Sequence, residues 1–517
     1  MLEMEPVQIT THHSQKMSGL KKAGLLLFFI GLFNFGAVLF LNTYEMTPQA
    51  LEALQGRLPE KRVQALQILS GNQFDSKAAA LRHIETALKK QEPSINDYDL
   101  GVAKFQGLKA ATTGIVKDNA FVFFLASILL GALGGMLYIL PQLKSLPGIK
   151  HHHIFTSSSM NRGAVGIAAG IALITFYVFL YWFPHHIIPM VLLVDPLSMA
   201  LRNMPADQWF LYGTLYTLVI LVMGVRMYAK YLHSRYHLFR TTSIMFFQLA
   251  FAFMIPSLME RLGKPSMDLK SAWPLDYDLF MNWNIDSLVS SGNFGIFLFV
   301  WAIVLAVIIV PVLSYFFGKR WYCSWVCGCG GLAETLGDPY RQLSDKSLRA
   351  WKFERISIHS VLIFAVIMTV MQIANYTSDG ALFSDYTSCI NQWYSFLIGA
   401  VFAGVIGTGF YPFMGNRVWC RFGCPLAAIL GIMQRFKSRF RITTNGGQCI
   451  SCGNCSTYCE MGIDVRWYAQ RSQNIIRASC VGCGVCAAVC PRGVLALENG
   501  PEDGRFVIQD IEKGYTE

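Results

Sequence analysis

Long apolar runs dominate the pattern of hydrophobic and polar positions along this chain. Each run holds about 20 residues, and a helix of that length crosses a bilayer core of about 30 Å. Hydrophobic residues make up 53% of the chain and charged residues 15%, whereas soluble domains carry about 25% charged residues. We therefore expect an all-α polytopic membrane protein. The runs predict about eight transmembrane helices, at 21–43, 120–142, 162–183, 209–229, 241–260, 293–317, 356–375 and 395–413.

The same pattern divides the chain into five parts. They are an N-terminus with the first transmembrane helix (1–43), an extracytoplasmic helical segment (44–119), helices two to five with their loops (120–290), helices six to eight (291–441) and a C-terminal domain (442–517). In the second part, apolar residues recur at helical spacing, which predicts amphipathic helices. After the last run, residues 425–437 predict a short helix with a basic end, placed along the membrane surface beside anionic headgroups.

Basic residues are spread unevenly over the loops on the two sides of the predicted membrane. Three short loops that share one side carry 14 Lys and Arg residues, and the short loops on the other side carry four. The positive-inside rule then puts both termini in the cytoplasm, as expected for a multi-pass protein of the bacterial inner membrane. These loops also account for the net charge of +11. Since no basic recognition element stands out, nucleic acid is not an expected partner.

The chain contains an internal repeat that ends in paired cysteines. The segments 318–327 and 415–424 align without gaps, and each follows the end of an apolar run. Both end in a Cys-x3-Cys pair, Cys323 with Cys327 and Cys420 with Cys424. This spacing places two thiols on one helix face. The four thiols could hold a further cluster or another metal, form a redox dithiol, or simply pack as small buried hydrophobes. The role of the neighbouring Cys329 is open.

Eight further cysteines form two regular runs near the C-terminus. The first run is Cys449, Cys452, Cys455 and Cys459, and the second is Cys480, Cys483, Cys486 and Cys490 before Pro491. This is the bacterial spacing for two 4Fe–4S clusters, in which the fourth cysteine of each run ligates the other cluster. One cluster would take Cys449, Cys452, Cys455 and Cys490, and the other Cys480, Cys483, Cys486 and Cys459. The sequence therefore predicts a small α+β two-cluster ferredoxin domain.

One position departs from this pattern, since Glu460 stands where a proline usually follows the fourth cysteine. Such a proline shapes the turn but ligates nothing, so the ligand assignment is unchanged. Two zinc sites are the alternative. The spacing argues against them, because zinc ribbons pair two Cys-x2-Cys knuckles.

Two Cys-x3-Cys caps on membrane spans, followed by a two-cluster ferredoxin, resemble the NosR/NapH group of membrane iron–sulfur proteins. The resemblance covers about residues 290–500 and is clearest at 449–464. It implies a protein that moves electrons between the quinone pool and partner redox proteins, or one that serves maturation of a respiratory metalloenzyme. Gly328 follows the first Cys-x3-Cys pair where the group has proline, and the first five spans match nothing in the group.

The leading hypothesis from these patterns is an electron conduit in a respiratory chain. Electrons would pass between the two clusters, the Cys-x3-Cys centre and a quinone or a membrane redox partner such as a cytochrome, reductase or oxidase-assembly protein. The rival hypotheses are a maturation factor that reduces a metal such as copper, and an accessory subunit of a larger complex. The sequence shows no nucleophile–base pair of a hydrolytic or transfer enzyme. If the protein is an enzyme, we expect a quinone-linked oxidoreductase or an electron-transfer subunit of one. Trp273, in an outer loop, is expected to anchor at the membrane interface.

Overall fold

The computed structural model of the protein describes residues 19–143, 155, 157–445 and 448–500. Within these ranges, eight helices are long and apolar enough to cross a membrane. They are Gly19–Ala37, Ala120–Ile139, Ala164–Trp182, Gln208–Tyr231, Arg235–Arg261, Asn293–Phe317, Leu348–Thr377 and Tyr386–Gly409. The predicted number of spans is confirmed. The two ends of the chain, 1–18 and 501–517, lie outside the described residues. So do two basic residues of the first basic loop, Lys144 and Lys150.

Local signals explain where several spans begin and end. The seventh span starts eight residues before the predicted position, because Ser347 caps it by accepting a hydrogen bond from the Ala350 N–H at 3.2 Å. A polar first turn can thus continue the helix beyond the apolar run. The first span ends at Ala37, six residues before the predicted boundary, and a strand follows at Thr43–Glu45.

The segment after the first span forms a small domain of helices around a three-stranded sheet. Its helices are Pro48–Glu52, Glu60–Gln67, Lys77–Gln91, Asp97–Ala111 and Ile115–Asp118. The strand Thr43–Glu45 pairs antiparallel with Gln73–Phe74 on one side and with Thr112–Thr113 on the other. The sequence predicted the helices but not the sheet, because strands this short show no alternation of polar and apolar residues. A buried ion pair, Lys109 Nζ to Asp195 at 2.7 Å, joins this domain to the bundle.

Shorter elements connect the spans and form the two ends of the bundle. The short α-helices are Ile188–Leu193, Asp195–Arg202, Asn282–Ser290, Gly328–Thr335, Tyr411–Met414, Val418–Phe422 and Pro425–Lys437, and the 3₁₀ turns are Leu140–Gln142, Pro184–His186 and Asp338–Leu343. The last of these α-helices has the predicted bounds. Three spans also contain wider π-helical turns, at Phe247–Met254, Leu305–Ile309 and Ser395–Ile406.

The loop between the fifth and sixth spans turns back into the bundle. Its Leu269 carbonyl accepts a hydrogen bond from the ring N–H of Trp301, near the middle of the sixth span, at 2.8 Å. The Lys270 carbonyl accepts from the hydroxyl of Tyr322, beyond the far end of that span, at 2.7 Å. Irregular backbone at such depth is tolerated where it is buried in protein or lines a cavity. We call residues 262–281 the re-entrant loop.

Trp273 lies in this loop, and its role as an interface anchor stays a prediction. Its ring N–H donates to the hydroxyl of Thr369 at 2.9 Å. Thr369 is eight residues from the end of the seventh span, about 12 Å into the helix. The ring thus packs against the seventh span, a contact that the sequence pattern did not predict.

The described residues of the C-terminal part, up to residue 500, form two strands and three short helices. The strands Phe440–Thr444 and Leu495–Asn499 pair antiparallel, with Ile442 opposite Leu497. The helices are Asn454–Thr457, Val465–Gln470 and Val485–Ala488. Two of them follow a glycine in the left-handed region, Gly453 at φ 80° and Gly484 at φ 79°. A glycine adopts that conformation without steric cost, so both cysteine loops can turn sharply into their helices.

This C-terminal part docks on one end of the bundle, which we call the cluster side. The Tyr236 hydroxyl, at the start of the fifth span, donates to the Gly482 carbonyl at 2.6 Å. Ser324, beyond the sixth span, donates to the Val481 carbonyl at 2.8 Å. The 43–119 domain lies at the opposite end, where Lys77 contacts the His186 carbonyl beyond the third span.

Candidate iron–sulfur and electron-transfer site

The structure brings the eight C-terminal cysteines together as two groups, each around its own small cavity. Cys449, Cys452, Cys455 and Cys490 line one cavity, and Cys459, Cys480, Cys483 and Cys486 line the other. The fourth cysteine of each run therefore lies with the other run. We call these the outer and inner cysteine groups, since the inner group faces the bundle. Ligation of a cluster by each group stays a prediction.

The surroundings of both groups suit 4Fe–4S clusters. Burial raises the pKa of the Cys455 and Cys480 thiols to about 12. Buried thiolates of this kind need a neighbouring cation, and bound iron supplies one. The Ile463 N–H also donates to the Cys459 sulfur at 3.3 Å. Backbone donors to cluster sulfurs are the usual outer shell of such centres.

The two Cys-x3-Cys pairs have the same backbone geometry. The Cys327 N–H donates to the Tyr322 carbonyl at 2.8 Å, and the Cys424 N–H donates to the Trp419 carbonyl at 3.0 Å. In both pairs the second cysteine is the N-cap residue of the next helix, Gly328–Thr335 or Pro425–Lys437. The sequence repeat is thus a structural repeat. Its first copy includes a π-helical turn at Trp321–Val326, a feature found at functional sites.

The four thiols of these pairs converge on the cluster side. Burial raises the pKa of Cys323 to about 12, and the neighbouring Cys420 and Cys327 act in the same direction. The pKa of Cys424 is likewise raised, first by burial and then by Cys420, Cys323 and Cys327. Each copy therefore lies close enough to the other for their charges to interact. We call these four residues the cap cysteines.

Cys329 is a fifth thiol in this cluster. It shares a hydrogen bond with Cys327, which lowers the pKa of Cys327 and raises that of Cys329. Its side chain is accessible although protein surrounds it, because it faces the internal cavity described below. The sequence showed Cys329 beside Cys327 but not its proximity to Cys420 and Cys424, which follow a different span.

A buried network of arginines and carboxylates lies between the inner group and the cap cysteines. Glu460 accepts a hydrogen bond from Arg341 at 2.6 Å and forms an ion pair with Arg417, whose Nε lies 3.1 Å from the carboxylate. Glu334 accepts a hydrogen bond from Arg417 at 2.7 Å and forms an ion pair with Arg240, whose Nη1 lies 3.1 Å from the carboxylate. All five side chains are at most 1% exposed. Burial alone would raise the pKa of Glu334, but Arg240 and Arg341 hold it below its usual value.

This network also contacts both sulfur groups. Arg417 donates to the Cys420 sulfur at 3.6 Å, and an Arg341 guanidinium nitrogen lies 3.9 Å from the Cys483 sulfur. Glu460, the position that departs from the usual proline, is therefore a buried partner of both arginines. The sequence contained one signal for it, because Arg320 and Arg417 occupy the same position of the repeat, three residues before a cysteine.

Positive charge exceeds negative charge around this network. Asp338 lies next to it, where it accepts a hydrogen bond from Lys230 at 2.7 Å and forms an ion pair with Arg226 at 2.9 Å. The connected set thus holds five cations against three carboxylates, and its members are Arg226, Lys230, Arg240, Arg341, Arg417, Glu334, Asp338 and Glu460. Excess positive charge stabilises the thiolate-rich, anionic clusters predicted on both sides of it.

A large cavity starts at Cys327, one of the cap cysteines, and runs through the bundle. Its volume is about 1160 Å³, and Cys327 and Cys329 line one end while Trp182 and Trp209 line the other. Aromatic side chains from one face of the fourth span form a wall: Trp209, Tyr212 and Tyr216. Asp268 and Lys270 of the re-entrant loop supply polar groups. We call this space the central cavity.

These features define an iron–sulfur electron-transfer protein with helices suited to a membrane. Comparison with known families agrees at that level. Residues 299–351 and 395–443 match a 4Fe–4S binding domain, and residues 420–495 match a 4Fe–4S dicluster domain. The first match contains both Cys-x3-Cys pairs, and the second contains all eight cysteines of the C-terminal groups. The chain therefore carries ferredoxin-type 4Fe–4S domains, while membership of the NosR/NapH group stays a prediction.

Individual relatives are distant. The putative electron transport protein YccM of Escherichia coli is 25% identical over 177 residues, which cover 32% of this chain and 46% of that protein. The methylamine utilization ferredoxin-type protein MauN of Methylobacillus flagellatus is 26% identical over 168 residues, covering 29% and 52%. An uncharacterized protein of Methanocaldococcus jannaschii is 29% identical over 167 residues, covering 32% and 60%. The chain spans about half the length of these relatives, and no solved structure matches it.

Proposed function

We propose that this protein conducts electrons between ferredoxin-type clusters on one face of a bacterial cytoplasmic membrane and a quinone in the central cavity. The observation that carries this proposal is the position of the cap cysteines. One of them, Cys327, lines the cluster-side end of the cavity, and Arg417 connects Cys420 to the inner cysteine group through Glu460. The loop-charge asymmetry favours a cytoplasmic location for the cluster side.

The proposed electron-transfer route passes four sites in turn. The outer group lies farthest from the bundle, where Cys452 is exposed to solvent and accessible to a redox partner. The inner group follows, and Gly484 beside it packs against Tyr236 of the fifth span. The cap cysteines come next, and the central cavity is last. When bound, iron–sulfur clusters supply one-electron redox chemistry at the cysteine groups.

The buried arginines and carboxylates between these sites exclude water and hold their charges in fixed positions. Arg341 and Arg417 are fully buried, and each pairs with Glu460. A fixed arginine close to a sulfur favours the more negative, reduced state of a centre bound there. Because these buried side chains hold one another in fixed positions, the network changes little when one electron arrives.

A quinone suits the chemistry and shape of the central cavity. Aromatic walls bind a planar headgroup, and a cavity of about 1160 Å³ is large enough for the headgroup and the start of an isoprenoid tail. Reduction of a quinone to a quinol takes up two electrons and two protons. The electrons would come from the cap cysteine centre, and Asp268 and Lys270 stand where protons could be relayed.

Filling the cavity tests this proposal. Ala252 lines it from the fifth span, whereas Leu249, three residues earlier, is 40% exposed on the outer surface of the bundle. In reconstituted protein with dithionite-reduced clusters, Ala252→Trp should abolish reoxidation by a short-chain quinone, and the control Leu249→Trp should leave it intact. Unchanged reoxidation in Ala252→Trp, with the clusters present, would place the quinone site elsewhere.

A second candidate function, reduction of a metal ion for assembly of a respiratory enzyme, is favoured by Cys329. Its thiol faces the cavity and shares a hydrogen bond with Cys327. Thiolates are preferred ligands for copper(I). In that case one electron from the cap centre would reduce copper(II) to copper(I) in the cavity. Cys329→Ser should then abolish copper reduction, whereas quinone-linked reoxidation should survive this substitution if the first proposal holds.

A further inference from the structure

A second cavity lies on the cluster side, between the start of the seventh span and the helix Pro425–Lys437. Its volume is about 310 Å³. Five cationic side chains line it: Lys319, Arg355, Arg421, Arg435 and Arg477. Among the described residues around it, Glu354 is the only carboxylate, and it pairs with Arg421 at 2.7 Å. Four cations are therefore left without a carboxylate from the cavity wall.

Three of these cations are held in place by aromatic rings. The guanidinium carbons of Arg355 and Arg477 lie 5.3 and 4.6 Å from the ring centre of Trp351. The guanidinium of Arg435 lies 5.7 Å from the ring of Phe436. Stacking of this kind orients an arginine while its N–H groups stay free to donate. A planar, preorganised guanidinium binds phosphate oxygens in a two-pronged manner.

The remaining wall is apolar and continuous with the outside of the bundle. Ile432 and Phe436 line the cavity and are 40% and 70% exposed. Ile356, next to Arg355 on the seventh span, is 69% exposed and begins the apolar surface of that span. Cationic groups next to exposed apolar surface at the end of a span are what a lipid meets at the headgroup level.

From these observations we propose that this cavity binds the phosphate headgroup of an anionic phospholipid, with the acyl chains lying against Ile432, Phe436 and the seventh span. We call it the headgroup pocket. Inorganic phosphate could pair with the arginines, but it has no apolar part that would pack against the apolar wall. The pocket also reaches Cys420, one of the cap cysteines. A bound lipid would therefore close the route from the membrane surface to that thiol.

Native mass spectrometry of the full chain in mild detergent tests the proposal. The wild type should retain phosphatidylglycerol in preference to phosphatidylcholine. The triple variant Arg355→Gln/Arg435→Gln/Arg477→Gln should lose that retention by about tenfold or more, because it removes three of the cations that would contact the headgroup. The control Lys352→Gln removes an exposed cation from the same helix turn that does not line the pocket, and should retain the lipid.

Two further readouts separate the possible outcomes. The iron–sulfur absorbance of the triple variant should match the wild type, which excludes misfolding as the cause; if it does not, the single variant Arg435→Gln replaces it. Inorganic phosphate should not displace the retained lipid at concentrations that leave the protein intact. Equal lipid retention by the variant and the wild type, or complete displacement of lipid by phosphate, would overturn the proposal.

Discussion

Arg417 Nε and Glu460 Oε1 lie 3.1 Å apart, although one residue follows the eighth span and the other follows a cysteine of the ferredoxin-type domain. Both side chains are at most 1% exposed. The same arginine donates to the Cys420 sulfur at 3.6 Å. One buried ion pair therefore joins the domain that carries the two C-terminal cysteine groups to the membrane-side cap, and it does so next to thiols on both sides.

This pair makes Glu460 a strong determinant of stability. Glu460→Gln would leave Arg341 and Arg417 buried with less compensating charge, and breaking such a buried pair costs about 3 kcal/mol. We expect a clear fall in the temperature at which iron–sulfur absorbance is lost. Glu85→Gln is the matched control, because Glu85 pairs with Lys89 and Lys104 on the surface of the 43–119 domain. Such a surface pair contributes under about 1 kcal/mol. Equal effects of both substitutions would contradict the structural role of Glu460.

Arg417 should also tune the reduction potential of a centre on the cap cysteines. Arg417→Gln removes a positive charge and the N–H donor to the Cys420 sulfur. The reduced, more negative state of the centre is therefore destabilised relative to the oxidised state. If the lost contact is worth about 1.4 kcal/mol, the potential falls by about 60 mV for one electron. A redox titration followed by electron paramagnetic resonance measures this shift. Arg349→Gln, a basic residue of the same side that is absent from the network, should leave the potential unchanged.

The four cap cysteines should behave as one unit. If Cys323 and Cys420 ligate one centre, the first substitution already destroys it, so Cys323→Ala/Cys420→Ala should be no worse than either single variant. The signals of the two C-terminal clusters should persist in all three proteins. Iron analysis together with spin counting checks this. Additive losses in the double variant would show two independent packing residues.

Asp276 of the re-entrant loop should make stability depend on pH. Burial, with repulsion from Asp278 and Asp268, raises its pKa to about 6. The folded state then holds a proton that the unfolded state releases, so this contribution to stability is present at low pH and is lost as the pH rises from about 4 through 6. Asp276→Asn should reduce the change of the thermal unfolding midpoint with pH across that range. If the midpoint changes with pH equally in the wild type and the variant, other groups cause the pH dependence.

Much of the architecture could be predicted from the sequence because its determinants are local. The eight spans follow from apolar length, and the helix Pro425–Lys437 from its own composition. The repeat that ends at Cys327 and Cys424 was readable by aligning the chain with itself. Regular spacing also predicted which C-terminal cysteines would lie together, and the structure places them in those groups.

What the sequence could not predict depends on contacts between distant segments. The re-entrant loop has no apolar run of its own, and its depth is set by hydrogen bonds from Trp301 and Tyr322. Glu460 read as a minor departure from a pattern, because its partners Arg341 and Arg417 lie 119 and 43 positions earlier in the chain. Cys329 had no visible role, since the cavity that it faces is formed by several spans.

The central claim is that electrons pass from the C-terminal clusters through the cap cysteines to a molecule in the central cavity. Its most direct test is single-turnover reoxidation, measured by rapid-freeze electron paramagnetic resonance after a quinone is added to reconstituted, reduced protein. The wild type should lose its reduced-cluster signals, whereas Cys323→Ser should keep both C-terminal clusters in the reduced state. Reoxidation of Cys323→Ser at the wild-type rate would contradict the account.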